Sequence, residues 1–249
     1  TATDVDTDNA SITFSISGSE LSITAGGVLT FASAPDYETK SSYSATVTAS
    51  DGTNSSTQDI TVTVTNVNDN SPVFTSGAAF SVVENQTGIG TITATDDDGD
   101  TLSFSLSGTD ASSMSINSSS GVLVFDSAPD YETKTSYSAT VTASDGTNST
   151  TQDITITITD TDDTAPVFTS SASFSAAENQ TSIGTVTATD TDTDDSSIVF
   201  SVSGSELAIT SGGVLTFASA PDYETKSSYS ATVTASDGTN SSTQDITVT

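Results

Sequence analysis

Three copies of Asp-Tyr-Glu, at Asp36-Tyr37-Glu38, Asp130-Tyr131-Glu132 and Asp222-Tyr223-Glu224, begin 94 and then 92 residues apart. Each sits in a longer shared stretch, APDYETK and then SYSATVTASDGTN, with one Ser or Thr between. A fixed period means one structural unit copied in tandem. Acidic groups are therefore set at the same place in every copy. Further acids gather at Glu84, from Asp96 to Asp100, at Asp145 and in the stretches that separate the copies. The chain has no His and no Cys, so its metal donors are oxygens alone. Calcium takes six to eight hard oxygen ligands from carboxylates, amides and backbone carbonyls. Carboxylates crowded at one place repel one another unless a cation sits between them. The residue types and spacing point to bound calcium.

The acids must be positioned by strands. Hydrophobic residues make up 33% of the chain and fall in alternating runs: ITVTVT at 60–65, TITAT at 91–95 and ITITIT at 154–159. Alternation at period two marks half-buried strands and argues against disorder. The middle copy reads as seven strands, near 78–83, 89–95, 101–107, 113–117, 121–126, 136–143 and 152–159. Turn residues separate several of them at Asn85-Gln86, Asp98-Gly99, Ser107-Gly108-Thr109-Asp110 and Asp145-Gly146-Thr147-Asn148. No helical period occurs. The pattern predicts an all-β, Greek-key β-sandwich per copy. Its expected core is Tyr137, Ala139, Val141, Ala143, Ile154, Ile156 and Ile158 with Phe104, Phe125 and Val122. The acids then fall at sandwich ends, while strand faces carry Ser and Thr.

The chain holds 33 acids against three Lys, for a net charge of −30. That charge repels nucleic acid and anionic membrane. A halophile-type surface would also be acidic, and charge alone does not reveal its purpose. Without Cys there are no disulfides or thiolate metal sites, which suits an exported bacterial protein and is neutral on the cytosol. No 18-residue apolar run is present to insert in a membrane, and the start carries no secretory leader.

Aligned on their motifs, the copies give a repeat at 1–65, a linker at 66–71, a repeat at 72–159, a linker at 160–165 and a repeat at 166–249. The first lacks the PVF…EN…IG opening of the others and the third lacks the closing linker, so the chain reads as about 2.7 repeats of a longer array. Residues 26–63 and 212–249 are identical.

Five motifs recur in order: Asn68-Asp69-Asn70-Ser71-Pro72-Val73-Phe74, Val83-Glu84-Asn85, Asp96-Asp97-Asp98, Asp130-Tyr131-Glu132 and Ala143-Ser144-Asp145-Gly146. With them the whole chain resembles tandem cadherin repeats, in the bacterial style with shorter loops. The resemblance implies immunoglobulin-like seven-strand sandwiches set end to end as a rod, with calcium between successive repeats. Carried over, the first junction takes Asp36, Glu38, Asn68, Asp69, the Asn70 carbonyl, Asp96, Asp98 and Asp145. Its glutamate would precede Thr1. The second takes Glu84, Asp130, Glu132, Asp162, Asp163, Asp190, Asp192 and Asp237, with the Thr161 and Thr164 carbonyls. Half-sites are expected at the ends, from Asp4, Asp6 and Asp51 and from Glu178, Asp222 and Glu224. The second linker departs from the family pattern, with Asp162 for the first Asn and Thr164 for the last. Asn66 also replaces the usual Asp.

No nucleophile–base pair or catalytic cleft is visible, so an enzyme is not expected. The Ser- and Thr-rich strands suit ordinary β-propensity better than an ice-binding face. The N-x-S/T sequons at Asn54, Asn85, Asn117, Asn148, Asn179 and Asn240 are what a Ser- and Thr-rich chain gives by chance. Tyr37, Tyr131 and Tyr223 are expected to pack at the base of their sandwiches, with the neighbouring Lys balancing acid charge or lying on that ring. The expected role is a calcium-rigidified rod segment of an extracellular or cell-surface adhesin, acting in adhesion or as a spacer. Its partners would be calcium, other surface proteins or like repeats. Self-association into an extracellular filament or matrix is the alternative, and a carbohydrate-binding module, for which Trp is lacking, is the third reading.

Overall fold

Branched and hydroxyl residues in alternation favour extended backbone with one face buried. A computed structural model describes residues 1–5 and 11–249; Asp6 of the expected N-terminal half-site lies outside the described residues. In the middle repeat, Ser136–Ser144 and Ser149–Thr159 pair antiparallel. Ser103–Ser107 flanks the first, and Ala79–Val83 runs parallel beside the second. The facing sheet orders Met114–Ile116, Val122–Phe125 and Gly88–Thr91. Ile92, Leu123, Val141, Ile154, Ile156 and Ile158 fill the space between, each at most 1% exposed. The third repeat repeats this plan, with Tyr229–Ser236 and Ser241–Val248 as its long pair. The architecture is all-β, a series of two-sheet sandwiches.

Four details differ from the sequence reading. The strand expected at 89–95 is two. Gly88–Thr91 joins the smaller sheet, and Ala94–Thr95 pairs with Val73–Phe74. The break falls at Ile92, whose N–H bonds the Gly121 carbonyl at 2.9 Å while its side chain enters the core. Val122, expected inside, is 43% exposed, and Leu123 takes that place. In Val-Leu-Val-Phe both parities are apolar, so alternation cannot choose the phase; pairing of Ile116 with Leu123 and Met114 with Phe125 does. The last strand begins at Ser149, and a short 3-10 turn covers Ala111–Ser113.

The first repeat carries the sheets Thr13–Ile16, Ser42–Ser50, Ser55–Thr63 and Leu21–Ile23, Leu29–Phe31. Sequence identity does not give it identical burial. Leu29 is 39% exposed and its counterpart Leu215 is 0% exposed. In the third repeat Ser182–Thr185 pairs with Val214–Phe217; among the described residues no strand takes that place beside Leu29–Phe31.

The three lysines are spent inside the repeats. Lys40 and Lys226 pair with Glu20 and Glu206 at 2.5 Å, and Lys134 pairs with Asp110. Each ammonium also lies over an aromatic ring, at 4.4 Å for Lys134 over Tyr137. That ring belongs to the long strand and not to the Asp-Tyr-Glu turn, contrary to the expectation above.

Candidate metal centre

Asp145 opens a tight turn. Its Oδ1 accepts the backbone N–H groups of Thr147 and Asn148, both at 2.6 Å. Gly146 follows at a φ of 97°, which only glycine adopts freely. Asp237 holds Thr239 and Asn240 in the same way. Asp96 and Asp190 each cap their own loop through Oδ1, at 3.1 and 2.9 Å to the N–H of Asp98 and Asp192. In all four residues the second oxygen, Oδ2, is buried without a hydrogen-bond partner. A buried carboxylate oxygen left unpaired is costly. Two such oxygens stand at each junction.

The linkers are threaded through these loops. Asp98 Oδ2 accepts the N–H of Asp69 and of Asn70 at 3.1 and 2.8 Å. Asp192 Oδ2 accepts those of Asp163 and Thr164 at 2.9 and 2.6 Å. From the upstream side Glu84, only 2% exposed, accepts Tyr131 N–H on one oxygen and Thr161 N–H on the other, both at 2.8 Å. Carboxylate oxygens consequently converge. Glu38, Asp69 and Asp98 form one group at the first junction, and Asp96, Asp98 and Asp100 a second. At the second junction the groups are Glu84, Glu132 and Asp160, and Glu132, Asp163 and Asp192. Within each group the oxygens lie within 4.8 Å of one another.

The crowding disfavours ionisation of three of these acids, whereas Asp98 is lowered by the N–H groups it accepts and Asp192 is lowered by them in spite of desolvation. The Glu132 carboxyl is pushed up to about 7, first by desolvation and then by Asp192 and Glu84. Glu38 is raised by desolvation and by Asp98. Asp160 is raised by desolvation, Asp192 and Glu84. No lysine balances these groups, since all three are paired elsewhere. The donor set is oxygen only, with several carboxylates and orphaned buried oxygens. It fits a hard divalent ion, and calcium in particular, and not a site built of nitrogen or sulfur.

Not every expected ligand joins these groups. Asp36 and Asp130 stand outside them; each staples its own turn, with Oδ2 accepting the Thr39 or Thr133 hydroxyl at 2.9 Å. Asn68 and Asp162 are held by Asn148 and Asn240. Thr161 and Thr164 meet the site through their N–H groups. Glu178, Asp222 and Glu224 gather at the far end, and Asp4 and Asp51 line one notch. The sequence reading placed Asp100 in an acid run, Asp160 in the second linker, Asn85 in a motif, and Asn148 and Asn240 in turns or sequons, but named none of them as an individual ligand or junction contact. Asn85 donates to Asp163 across the second junction. The one available signal was the Asn that closes every Ser-Asp-Gly-Thr-Asn segment.

Comparison with known proteins supplies the family. The Cadherin domain profile matches residues 78–159 and 171–249. Protocadherin Fat 4 of Mus musculus is 33% identical over 85% of this chain, which spans 5% of that relative's length. The crystal structure of mouse Cadherin-23 EC22-24 superposes with a TM-score of 0.74 at 26% identity, covering 98% of this chain and 88% of that one. Mouse Protocadherin-24 EC1-3 gives a TM-score of 0.74 at 25% identity, over 95% of this chain and 89% of that one. The chain belongs to the cadherin family, as an array of cadherin repeats of the extracellular or cell-surface class and not an enzyme.

Proposed function

We propose that this chain is a calcium-rigidified rod segment of a surface adhesin, serving adhesion or spacing a distant binding domain. The observation that carries the reading is the group Glu132, Asp163 and Asp192, which draws one carboxylate from the upstream repeat, one from the linker and one from the downstream repeat. Asp190 and Asp237 add buried oxygens that lack partners. At this junction Glu84, Asp130, Glu132, Asp160, Asp162, Asp163, Asp190, Asp192, Asp237 and the Thr161 and Thr164 carbonyls would hold the ions. At the first, Asp36, Glu38, Asn68, Asp69, the Asn70 carbonyl, Asp96, Asp98, Asp100 and Asp145 would do so. Bound calcium supplies positive charge shared by carboxylates of both repeats. Without that charge the acids of the two repeats face each other and push the joint open.

Calorimetric titration with calcium, with Asp163→Ala as control, tests the reading. Saturable binding of several ions that the substitution weakens supports it. Absence of binding at about 1 mM calcium, the weak end for extracellular modules, overturns it.

One observation favours lateral self-association into a filament as a second reading. Val73 and Val167 are 59% and 65% exposed, and Val122 and Val214 are 43% and 48% exposed, at matching places in successive repeats. Electron micrographs of purified protein distinguish single rods from ordered fibres.

A further inference from the structure

We propose that Asn148 and Asn240 are positioning residues, amide latches that seat each linker on the repeat that follows it before any ion is bound. One NH₂ group does the work at each junction. Asn148 Nδ2 donates to Asn68 Oδ1 at 2.8 Å and to the Asn70 carbonyl at 2.9 Å. Asn240 Nδ2 donates to Asp162 Oδ1 at 3.0 Å and to the Asp162 carbonyl at 3.3 Å. A backbone carbonyl only accepts, so the nitrogen of the side chain, not its oxygen, must face the linker. The backbone N–H of the same Asn is held by Asp145 or Asp237 at 2.6 Å. One residue thereby joins the linker to the loop whose aspartate keeps an unpartnered buried oxygen.

The latch explains a difference between the linkers. Asn68 and Asp162 differ in charge, yet each presents an oxygen to the same amide. The donor is neutral, so it needs no countercharge in an environment where every lysine is committed elsewhere. Other bonds run the same way in the first linker. Asn66 Nδ2 donates to the Asp98 carbonyl at 2.8 Å, and the N–H groups of Asp69 and Asn70 reach the Asp98 carboxylate. This linker is therefore carried by the downstream repeat. A linker already ordered loses less entropy when its oxygens are used, which raises ion affinity.

The affinity effect rests on the calcium reading; the latch does not. Backbone hydrogen exchange at Asp69 and Asn70 is measured in EDTA for the whole chain and for Asn148→Ala, Asn148→Asp and Asn148→Gln, followed by a calcium titration. Ala and Asp, which lack the donor, are expected to speed exchange about tenfold and weaken calcium binding at this junction on the order of tenfold. Gln keeps the donor and recovers part of both, while the melting temperature stays near the parent value. Unchanged exchange in EDTA overturns the latch. Equal losses in all three variants together with a lowered melting temperature also overturn it, since the turn itself would then be what matters. Should the parent bind no calcium, the calcium reading falls, and the exchange result alone decides the latch.

Discussion

The N–H of Thr161 donates to Oε1 of Glu84 at 2.8 Å, binding the start of the second linker to a side chain buried in the repeat before it. The other oxygen of Glu84 holds Tyr131 N–H. One carboxylate thus fixes the Asp-Tyr-Glu turn and the linker together. It does so in the company of Glu132 and Asp160, whose oxygens lie within 4.8 Å. Two opposing effects decide what Glu84→Ala does. Losing a charged acceptor from two N–H groups costs roughly 2–3 kcal/mol, and relieving like-charge crowding returns part of it. With calcium present the repulsion is already neutralised, so the full cost is expected. In EDTA the loss should be smaller. Thermal unfolding in both conditions checks this; equal losses would show that Glu84 is a hydrogen-bonding residue only.

The sandwich was legible because its strands alternate and its motifs recur, and alternation reports burial directly. The phase at Val122 was not, because neighbouring positions of that strand are all apolar. The acids were legible as a class from their clustering at strand ends. The partners of Asp160 and Asn85 were not, because Asp160 gathers with Glu84 and Glu132, and Asn85 with Asp163, from positions far apart in the chain, which no periodicity along one strand encodes. Asn148 and Asn240 were visible as a repeated letter, but an amide gives no charge signal. Leu29 and Leu215 mark the limit: the sequence around them is identical, and the burial is set by a strand far away in the chain.

The pH response follows from Glu132. Its carboxyl is pushed from an ordinary 4.5 up to about 7 in the ion-free fold, chiefly by desolvation and then by Asp192 and Glu84. A carboxyl raised in the folded state contributes stability that is full below the unfolded value and is lost as pH rises through the folded one. The ion-free chain should therefore melt at a lower temperature as pH goes from 4.5 through about 7. Calcium displaces that proton, so apparent affinity should rise over the same interval and level off above it. The net charge of −30 pushes stability in the same direction, so the contrast with Glu132→Gln is what isolates this group. The variant should lose the affinity slope between about pH 5 and pH 8. A slope identical to the parent's would assign the effect elsewhere.

Leu29 and Leu215 offer a test with local sequence held constant. Leu215, fully buried on a strand flanked by Ser182–Thr185 in the same sheet, should cost roughly 2–5 kcal/mol on substitution by Ala. Leu29 is 39% exposed, with less apolar area to lose and no closed cavity to leave, so the same change should cost under about 1.5 kcal/mol. Native-state hydrogen exchange in Val214–Phe217 and Leu29–Phe31 reads each repeat separately. Equal costs would mean that the two faces are covered alike in solution.

Gly27 and Gly213 extend that comparison to the backbone. Both have left-handed φ, 82° and 86°, so Ala at either site costs about 1–2 kcal/mol from conformation alone. The surroundings then separate them. A Cβ on Gly213 would lie 2.2 Å from the Val186 carbonyl oxygen, which is main chain and cannot turn aside. At Gly27 it would meet the Phe14 ring at 3.1 Å, and a side chain beside a partly open face can shift by a few tenths of an ångström. The Val186 carbonyl receives no such relief, because Val186 is itself 1% exposed and its N–H is bonded to the Gly213 carbonyl at 2.9 Å. Gly213→Ala should therefore cost more than roughly 4 kcal/mol and abolish exchange protection across the third repeat. Gly27→Ala should leave the first repeat folded. If both variants lose protection to the same extent, left-handed backbone strain alone accounts for the glycine, and the contact with Val186 contributes nothing.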